Sequence, residues 1–240
     1  MILWTDRGVV ISIARQGEKY QIVNIFTENH GNFSGRVFLS RNNRMAIFSN
    51  VDVNYRSQNT SSLGFWQKKY ERQKGWICSM NSVIHLLACQ SICYILSRAL
   101  PHGVPYKSLF EFINYFSCDL HSFSALTVLN LYAYFEFLFL NSIGFGIDLN
   151  TCFVCEKNED IEYISLKVCR GVSQNCSYKL DSAELCSVPR CWKNWKNENI
   201  HKSDILNSIN ITGFFIKKHI NIGDNYFRYS IQKYLDNVHY

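Results

Sequence analysis

The chain has 240 residues, of which 47% are hydrophobic and 18% are charged. These values exclude a disordered chain and are typical of one large or two small globular domains. The net charge of +6 is unevenly distributed: residues 1–78 contain 11 Lys and Arg against 5 Asp and Glu, whereas residues 79–240 contain 14 of each. A basic first third attracts polyanions. The alternative interpretation is a basic surface that has no partner.

The amino terminus predicts a cytoplasmic protein. Trp4, Asp6 and Arg7 follow Met1 without the apolar stretch and small-residue cleavage site of a secretory signal. We therefore expect the 10 cysteines to be reduced thiols or metal ligands rather than disulfides.

The apolar segment 124–145 has about the length of a membrane span. It contains Asn130, Glu136 and Asn141, and a carboxylate is costly at the centre of a bilayer. A buried helix is therefore the favoured interpretation, and we expect no membrane partner. For Glu136 we favour a structural hydrogen bond or ion pair over catalysis.

The first 75 residues have the pattern of strands separated by polar turns. The predicted strands are 8–14, 20–26, 33–39, 45–55 and 63–70. Five short strands in one segment predict a small closed barrel, of which the OB-fold is the common five-stranded kind. In the turn of residues 28–32, Gly31 can supply a positive φ angle.

After Trp76 the pattern becomes helical, except in a Cys-rich segment. The predicted helices are 79–100, 105–117, 122–143, 203–220 and 224–235. Ser122 is the expected N-cap of the third helix, and Gly144 the residue just past its end. The predicted fold class is α+β: an OB-fold barrel in residues 1–77, followed by a helical domain in residues 78–240 with a zinc-finger-like insertion at about 151–180.

Basic and aromatic residues are interleaved along the predicted barrel, as single-strand binding requires. Cations bind the phosphates, and rings stack on unpaired bases. The rings are Trp4, Phe33, Phe38, Tyr55, Phe65, Trp66, Tyr70 and Trp76. For any one ring a place in the core is the simpler interpretation, whereas cations cannot be buried without partners. The candidate DNA-binding residues are therefore the cations Arg15, Arg36, Arg41, Arg44, Arg56, Lys68 and Lys69.

The cysteines suggest a metal site in the insertion. Cys152 and Cys155 are spaced as one half of a tetrahedral zinc site. The remaining candidates are Cys169 and Cys176, and Ser173 stands where a second CxxC pair would place the third ligand. A four-cysteine site closed through Cys169 and a zinc-free finger with buried thiols both remain open.

No common catalytic signature is present. The sequence lacks a GxxxxGK[ST] loop, HExxH and GxSxG, so we expect no enzyme. A metal-dependent nucleic-acid enzyme that uses Cys152 and Cys155 remains a third alternative, but it would need a general base, and no candidate is present.

Several short segments, distributed along nearly the whole chain, occur in a characteristic order and at characteristic spacings. They are Trp4–Val10, Gly17-Glu18, Ile22-Val23, Phe26–Gly31, Ser40–Met45, Ile143–Cys152, Tyr163–Ser165, Gly171–Ser173 and Ile211–Phe215. Together they resemble the bacterial RecO family of DNA repair proteins.

The resemblance implies a mediator of recombinational DNA repair of the RecF-pathway type, located in the bacterial cytoplasm at the nucleoid. Such a protein binds single- and double-stranded DNA and anneals complementary strands. With RecR it helps to load RecA onto DNA coated by single-strand-binding protein (SSB), and its helical body engages the C-terminal tail of SSB. The resemblance also implies a finger that holds one structural zinc ion in some members and not in others. The alternative function is a protein-interaction scaffold whose barrel binds protein partners rather than DNA.

Overall fold

The computed structural model describes residues 1–40, 43–59, 62–71, 82–158, 160–196 and 201–237. The chain divides into two compact units, Met1–Val128 with Ile222–Ile231 and Leu129–Asn221 with Gln232–Tyr240. The domain boundary expected at residue 77 lies outside the described residues, so the division into 1–77 and 78–240 stays a prediction.

A closed five-stranded barrel opens the first unit. Its strands are β1 (Ile2–Gln16), β2 (Tyr20–Thr27), β3 (Gly31–Phe38), β4 (Asn50–Ser57) and β5 (Gly64–Glu71). Their order around the barrel is β1-β2-β3-β5-β4, and pairing of β4 with β1 closes it. Only the β3–β5 pair is parallel among these strand pairs. The OB-fold barrel and the α+β class are confirmed.

Two strand boundaries differ from the sequence prediction. β1 begins at Ile2 rather than at residue 8, because its first half pairs with β4 and only its second half with β2. Polar residues interrupt the apolar pattern in that first half, so no strand was predicted there, although the Asp6 side chain is buried. β4 begins at Asn50 rather than at residue 45, because Phe48 has a φ angle of 62° and interrupts the extended backbone.

The barrel interior is filled by aliphatic side chains and aromatic rings. The buried cluster consists of Val10, Val23, Ile25, Val37, Met45, Val51, Val53, Tyr55 and Trp66. Trp66 also donates its indole N–H to the carbonyl of Val23 at 3.1 Å, so its polar atom is satisfied inside the core. Each large apolar side chain buried in this way contributes about 1.5–3 kcal/mol.

The helices are α1 (Val83–Ala99), α2 (Lys107–Asp119), α3 (Ala125–Ser142), α4 (Arg190–Lys193), α5 (Lys202–His219) and α6 (Tyr226–Asn237). Within the first unit, α2 lies against the barrel. The Nδ2 of Asn50 donates to the Oγ of Ser117 at 2.8 Å, and the rings of Phe26 and Phe110 meet edge to face at 5.8 Å.

The ends of α3 follow simple capping rules. The Oγ of Ser124 accepts a hydrogen bond from the N–H of Thr127 at 3.1 Å, so Ser124 is the N-cap and the prediction of Ser122 was wrong by two residues. Ser122 instead belongs to a short 3-10 turn. Gly144 follows the helix with a φ angle of 85°, as predicted, and Gly31 has a φ angle of 76° in its turn.

Glu136 has a structural role in the second unit. Its side chain is fully buried, and it accepts hydrogen bonds from the hydroxyl of Tyr132 at 2.6 Å and from the Oγ1 of Thr212 at 2.5 Å. The bond from Thr212 links α5 to α3, and this hydrogen-bonding role is the structural interpretation expected for Glu136. No helix in the described part of the chain is both long and apolar enough to cross a membrane.

The Cys-rich segment forms a small sheet rather than a helix. The segment contributes β6 (Ile161–Ser165) and β7 (Arg170–Ser173), and β8 (Leu185–Ser187), just beyond it, completes the sheet in the order β7-β6-β8. All nine described cysteines are free thiols.

Candidate nucleic-acid interface

A row of cations and an aromatic ring crosses the outside of the barrel. Phe65 of β5 is paired with Arg56 of β4 on one side and with Arg36 of β3 on the other. Side chains of paired residues project from the same face of a sheet. The next residue, Trp66, points into the core, so Phe65 faces outward and is 47% exposed. Each neighbouring strand therefore places one guanidinium beside this ring.

This row lies in a surface groove of about 660 Å³. Its lining residues are Met1, Arg36, Arg56, Ser57, Gln58, Ser62, Leu63 and Phe65. A second recess of about 410 Å³ shares Met1, Arg56 and Phe65 with it. Neither lining includes a carboxylate among the described residues, so the local charge is positive and favours an anionic ligand.

The two arginines are held differently. The Nε of Arg36 donates to the Oε1 of Gln16 at 3.0 Å, which restrains its side chain and uses one of the five N–H donors of its guanidinium. Arg56 is exposed and has no ion-pair partner within the part of the chain that the structure describes. Both groups have donors available for phosphate oxygens.

The other predicted cations that the structure describes lie elsewhere on the barrel and do not line the groove. Arg15 is exposed at the end of β1 and donates its Nε to the carbonyl of Gly17 at 3.3 Å. The Nζ of Lys68 donates to the carbonyl of Arg44 at 2.6 Å, so these two residues are neighbours. Lys69 is exposed on β5, and Arg41 lies outside the described residues.

A buried carboxylate organises the β2–β3 hairpin, and sequence reasoning did not find it. Asp6 accepts hydrogen bonds from the backbone N–H of Arg7 at 2.8 Å, from the N–H and the Nδ2 of Asn29 at 2.9 Å each, and from the Nδ1 of His30 at 2.7 Å. The His30 ring is stacked on Trp4 with centroids 3.9 Å apart. Burial by itself would raise the pKa of Asp6, but the hydrogen bonds from His30, Asn29 and Arg7 lower that pKa below its usual 3.8.

Three of the four candidate metal ligands lie together. The Sγ atoms of Cys152, Cys155 and Cys176 are all within 4.8 Å of one another. Cys169 is not part of this group: its φ angle is 61° and its thiol points to the carbonyl of Leu166 at 3.8 Å.

Ser173 lies beside the cluster that these three thiols form. Its N–H and its Oγ both donate to the Sγ of Cys152, at 3.3 Å and 3.5 Å. Burial alone would raise the pKa of Cys152, but these bonds, together with the N–H groups of Cys155 and Val154, lower that pKa to about 6. This lowering of the pKa favours the thiolate, the form that binds metals.

The family model described as "Recombination protein O C terminal" matches residues 80–225 of this chain. The chain belongs to the RecO family. The family assignment made from the sequence is thus confirmed.

Relatives named DNA repair protein RecO match the chain along most of its length. The protein of Chelativorans sp. (strain BNC1) is 30% identical over 223 residues, which cover 90% of this chain and 87% of the relative. The protein of Ehrlichia chaffeensis is 28% identical over 222 residues, covering 90% and 89%. The protein of Wolbachia pipientis wMel is 27% identical over 233 residues, covering 90% and 92%.

The zinc ion implied by the RecO resemblance fits the thiol cluster. Tetrahedral zinc with Zn–S bonds of about 2.3 Å separates its sulfur ligands by about 3.8 Å, so thiols within 4.8 Å of one another need only a small movement. Cys152, Cys155 and Cys176 would hold the ion, and the Oγ of Ser173 lies 3.5 Å from the Sγ of Cys152. An ion there would fix the two ends of the finger to each other.

Proposed function

We propose that this RecO-family protein mediates recombinational DNA repair by binding DNA, not by catalysing a reaction. The observation that supports the proposal is the row Arg36–Phe65–Arg56, in which three adjacent strands present two cations and a ring on one outward face. The guanidinium groups bind phosphates, and DNA held along the barrel is brought to a high effective concentration for pairing.

The family resemblance extends the proposal to the steps of repair. The protein binds single- and double-stranded DNA, anneals complementary strands and, with RecR, helps to load RecA onto SSB-coated DNA in the bacterial cytoplasm. The zinc ion, where bound, has a structural role in the finger. A pull-down with a peptide that copies the C-terminal tail of SSB tests the partner directly. Retention of this chain is expected, and no retention would remove SSB from the proposal.

The double variant Arg36→Ala/Arg56→Ala tests DNA binding by the row. We expect its affinity for a labelled single strand to fall about 10–100-fold, since two hydrogen-bonding groups that contribute about 1 kcal/mol each are lost. The slope of log K against log salt should become shallower by about 1.4, because each phosphate contact to a single strand contributes about 0.7. Fluorescence anisotropy at several salt concentrations measures both quantities.

The matched control is Lys107→Ala/Lys233→Ala, which removes the same charge from two exposed lysines of α2 and α6. Equal losses in both double variants would mean that net charge, and not this row, determines binding. If the unmodified chain binds no oligonucleotide at all, the scaffold alternative is favoured over the proposed function.

A further inference from the structure

The barrel keeps some of its aromatic rings out of the core. Trp4, Tyr55 and Trp66 contact one another, with ring centroids 4.8–5.4 Å apart, and fill the interior or its margin. By contrast, Phe38 is 50% exposed and Phe65 is 47% exposed. The core is filled without these two rings, so packing does not account for them.

The exposed rings form a continuous group with a third ring. Tyr20 is paired with Phe38 across β2 and β3, and their centroids are 5.6 Å apart. The centroid of Tyr20 is also 6.5 Å from that of Phe65. Phe38 follows Arg36 by two positions in β3 and so shares its face. The Tyr20 ring thus meets the rings of Phe38 and Phe65 edge to face, at interplanar angles of 73° and 65°, on the face that carries the basic row.

The chemistry around these rings favours a nucleic acid over an apolar peptide. Arg36 is paired with Phe65 and lies on the same strand face as Phe38, and Arg56 flanks Phe65 on its other side. The groove that Phe65 lines contains no carboxylate among its described residues. Flat rings beside phosphate-binding cations match the alternation of bases and phosphates in an unpaired strand.

We propose that Tyr20, Phe38 and Phe65 form a base-stacking platform, so that the barrel binds unpaired strands in preference to duplex. The inference depends on the proposed function, because the basic row must bind the phosphates of the same strand. In a duplex the faces of the bases are stacked on one another and cannot reach these rings. The arginines then bind the phosphates of both single-stranded and duplex DNA, whereas the rings bind only the bases of single strands.

The test compares ring-deleted and ring-preserving variants on three ligands. Phe38→Leu/Phe65→Leu keeps apolar side chains of similar size but removes the flat rings, and Phe38→Tyr/Phe65→Tyr keeps the rings. The ligands are a labelled single strand, the duplex of the same sequence, and an abasic strand of the same length, which has phosphates but no bases. Thermal unfolding of each variant checks that the fold is intact.

We expect the leucine variant to bind the single strand about 10-fold or more weakly, since stacking on one ring contributes roughly 5–150-fold. Its affinities for the duplex and for the abasic strand should be unchanged, and the tyrosine variant should bind all three ligands normally. Unchanged single-strand binding by the leucine variant, or equal losses on all three ligands, would overturn the platform. These outcomes are separate from a failure of the basic row, which would appear as no effect of Arg36→Ala/Arg56→Ala on any ligand.

Discussion

Replacing Ser173 by cysteine is expected to raise the affinity of the finger for zinc by about 100-fold. The Oγ of Ser173 lies 3.5 Å from the Sγ of Cys152, so a thiol at this position would lie beside a member of the thiol cluster. Even groups that only support metal ligands change affinity by about 10–100-fold, and a fourth thiolate binds the ion directly. Competition with a chromophoric chelator measures the affinity, and the absorption of bound cobalt(II) reports the number of thiolate ligands.

Two further variants distinguish the possible fourth ligands. Cys176→Ser should abolish tight metal binding, because it removes a member of the cluster. Cys169→Ser should leave affinity unchanged, because the Cys169 thiol points to the carbonyl of Leu166. If Cys169→Ser weakened zinc binding as much as Cys176→Ser, the site would close through Cys169, which the sequence also allowed.

Replacing Asp6 by alanine is expected to lower the free energy of unfolding by about 3 kcal/mol, because several hydrogen bonds to a buried, ionised acceptor are lost. The hydrogen bonds come from the backbone N–H groups of Arg7 and Asn29 and from the side chains of Asn29 and His30. For a chain of this size the loss corresponds to a fall in Tm of roughly 6–12 °C. Denaturant and thermal unfolding measure it.

The same carboxylate predicts a dependence of stability on pH. The folded pKa of Asp6 is lowered below 3.8, so its contribution is complete above the unfolded pKa and is lost as pH falls through the folded value. Asp6→Ala should therefore flatten the decline in stability below about pH 4.

Glu28→Ala is the matched control for Asp6→Ala. It removes a carboxylate from the same part of the barrel, where the Nε of Arg7 donates to Glu28 at 2.7 Å in a partly exposed ion pair. Exposed pairs contribute about 0–1 kcal/mol. A cost of Asp6→Ala no greater than that of Glu28→Ala would contradict the role of Asp6.

Local signals were sufficient to predict most elements of this RecO-family protein. β-branched runs and glycine-containing turns gave the five strands, because side-chain alternation and positive φ angles act within a few residues. Helical periodicity gave α3 and α5, and the spacing of Cys152 and Cys155 gave half of the thiol cluster. The order of short motifs along nearly the whole chain identified the family.

Only the tertiary structure decided which residues meet across the sheet. Strand order and register place Arg36 and Arg56 beside Phe65, although the three residues lie far apart in sequence. The same long-range pairing separates the exposed rings from those of the core and brings Cys176 rather than Cys169 to Cys152. These contacts depend on how the barrel closes and how the finger packs. No local pattern determines them, because a shift of register by one residue turns every side chain of a strand to the opposite face of the sheet.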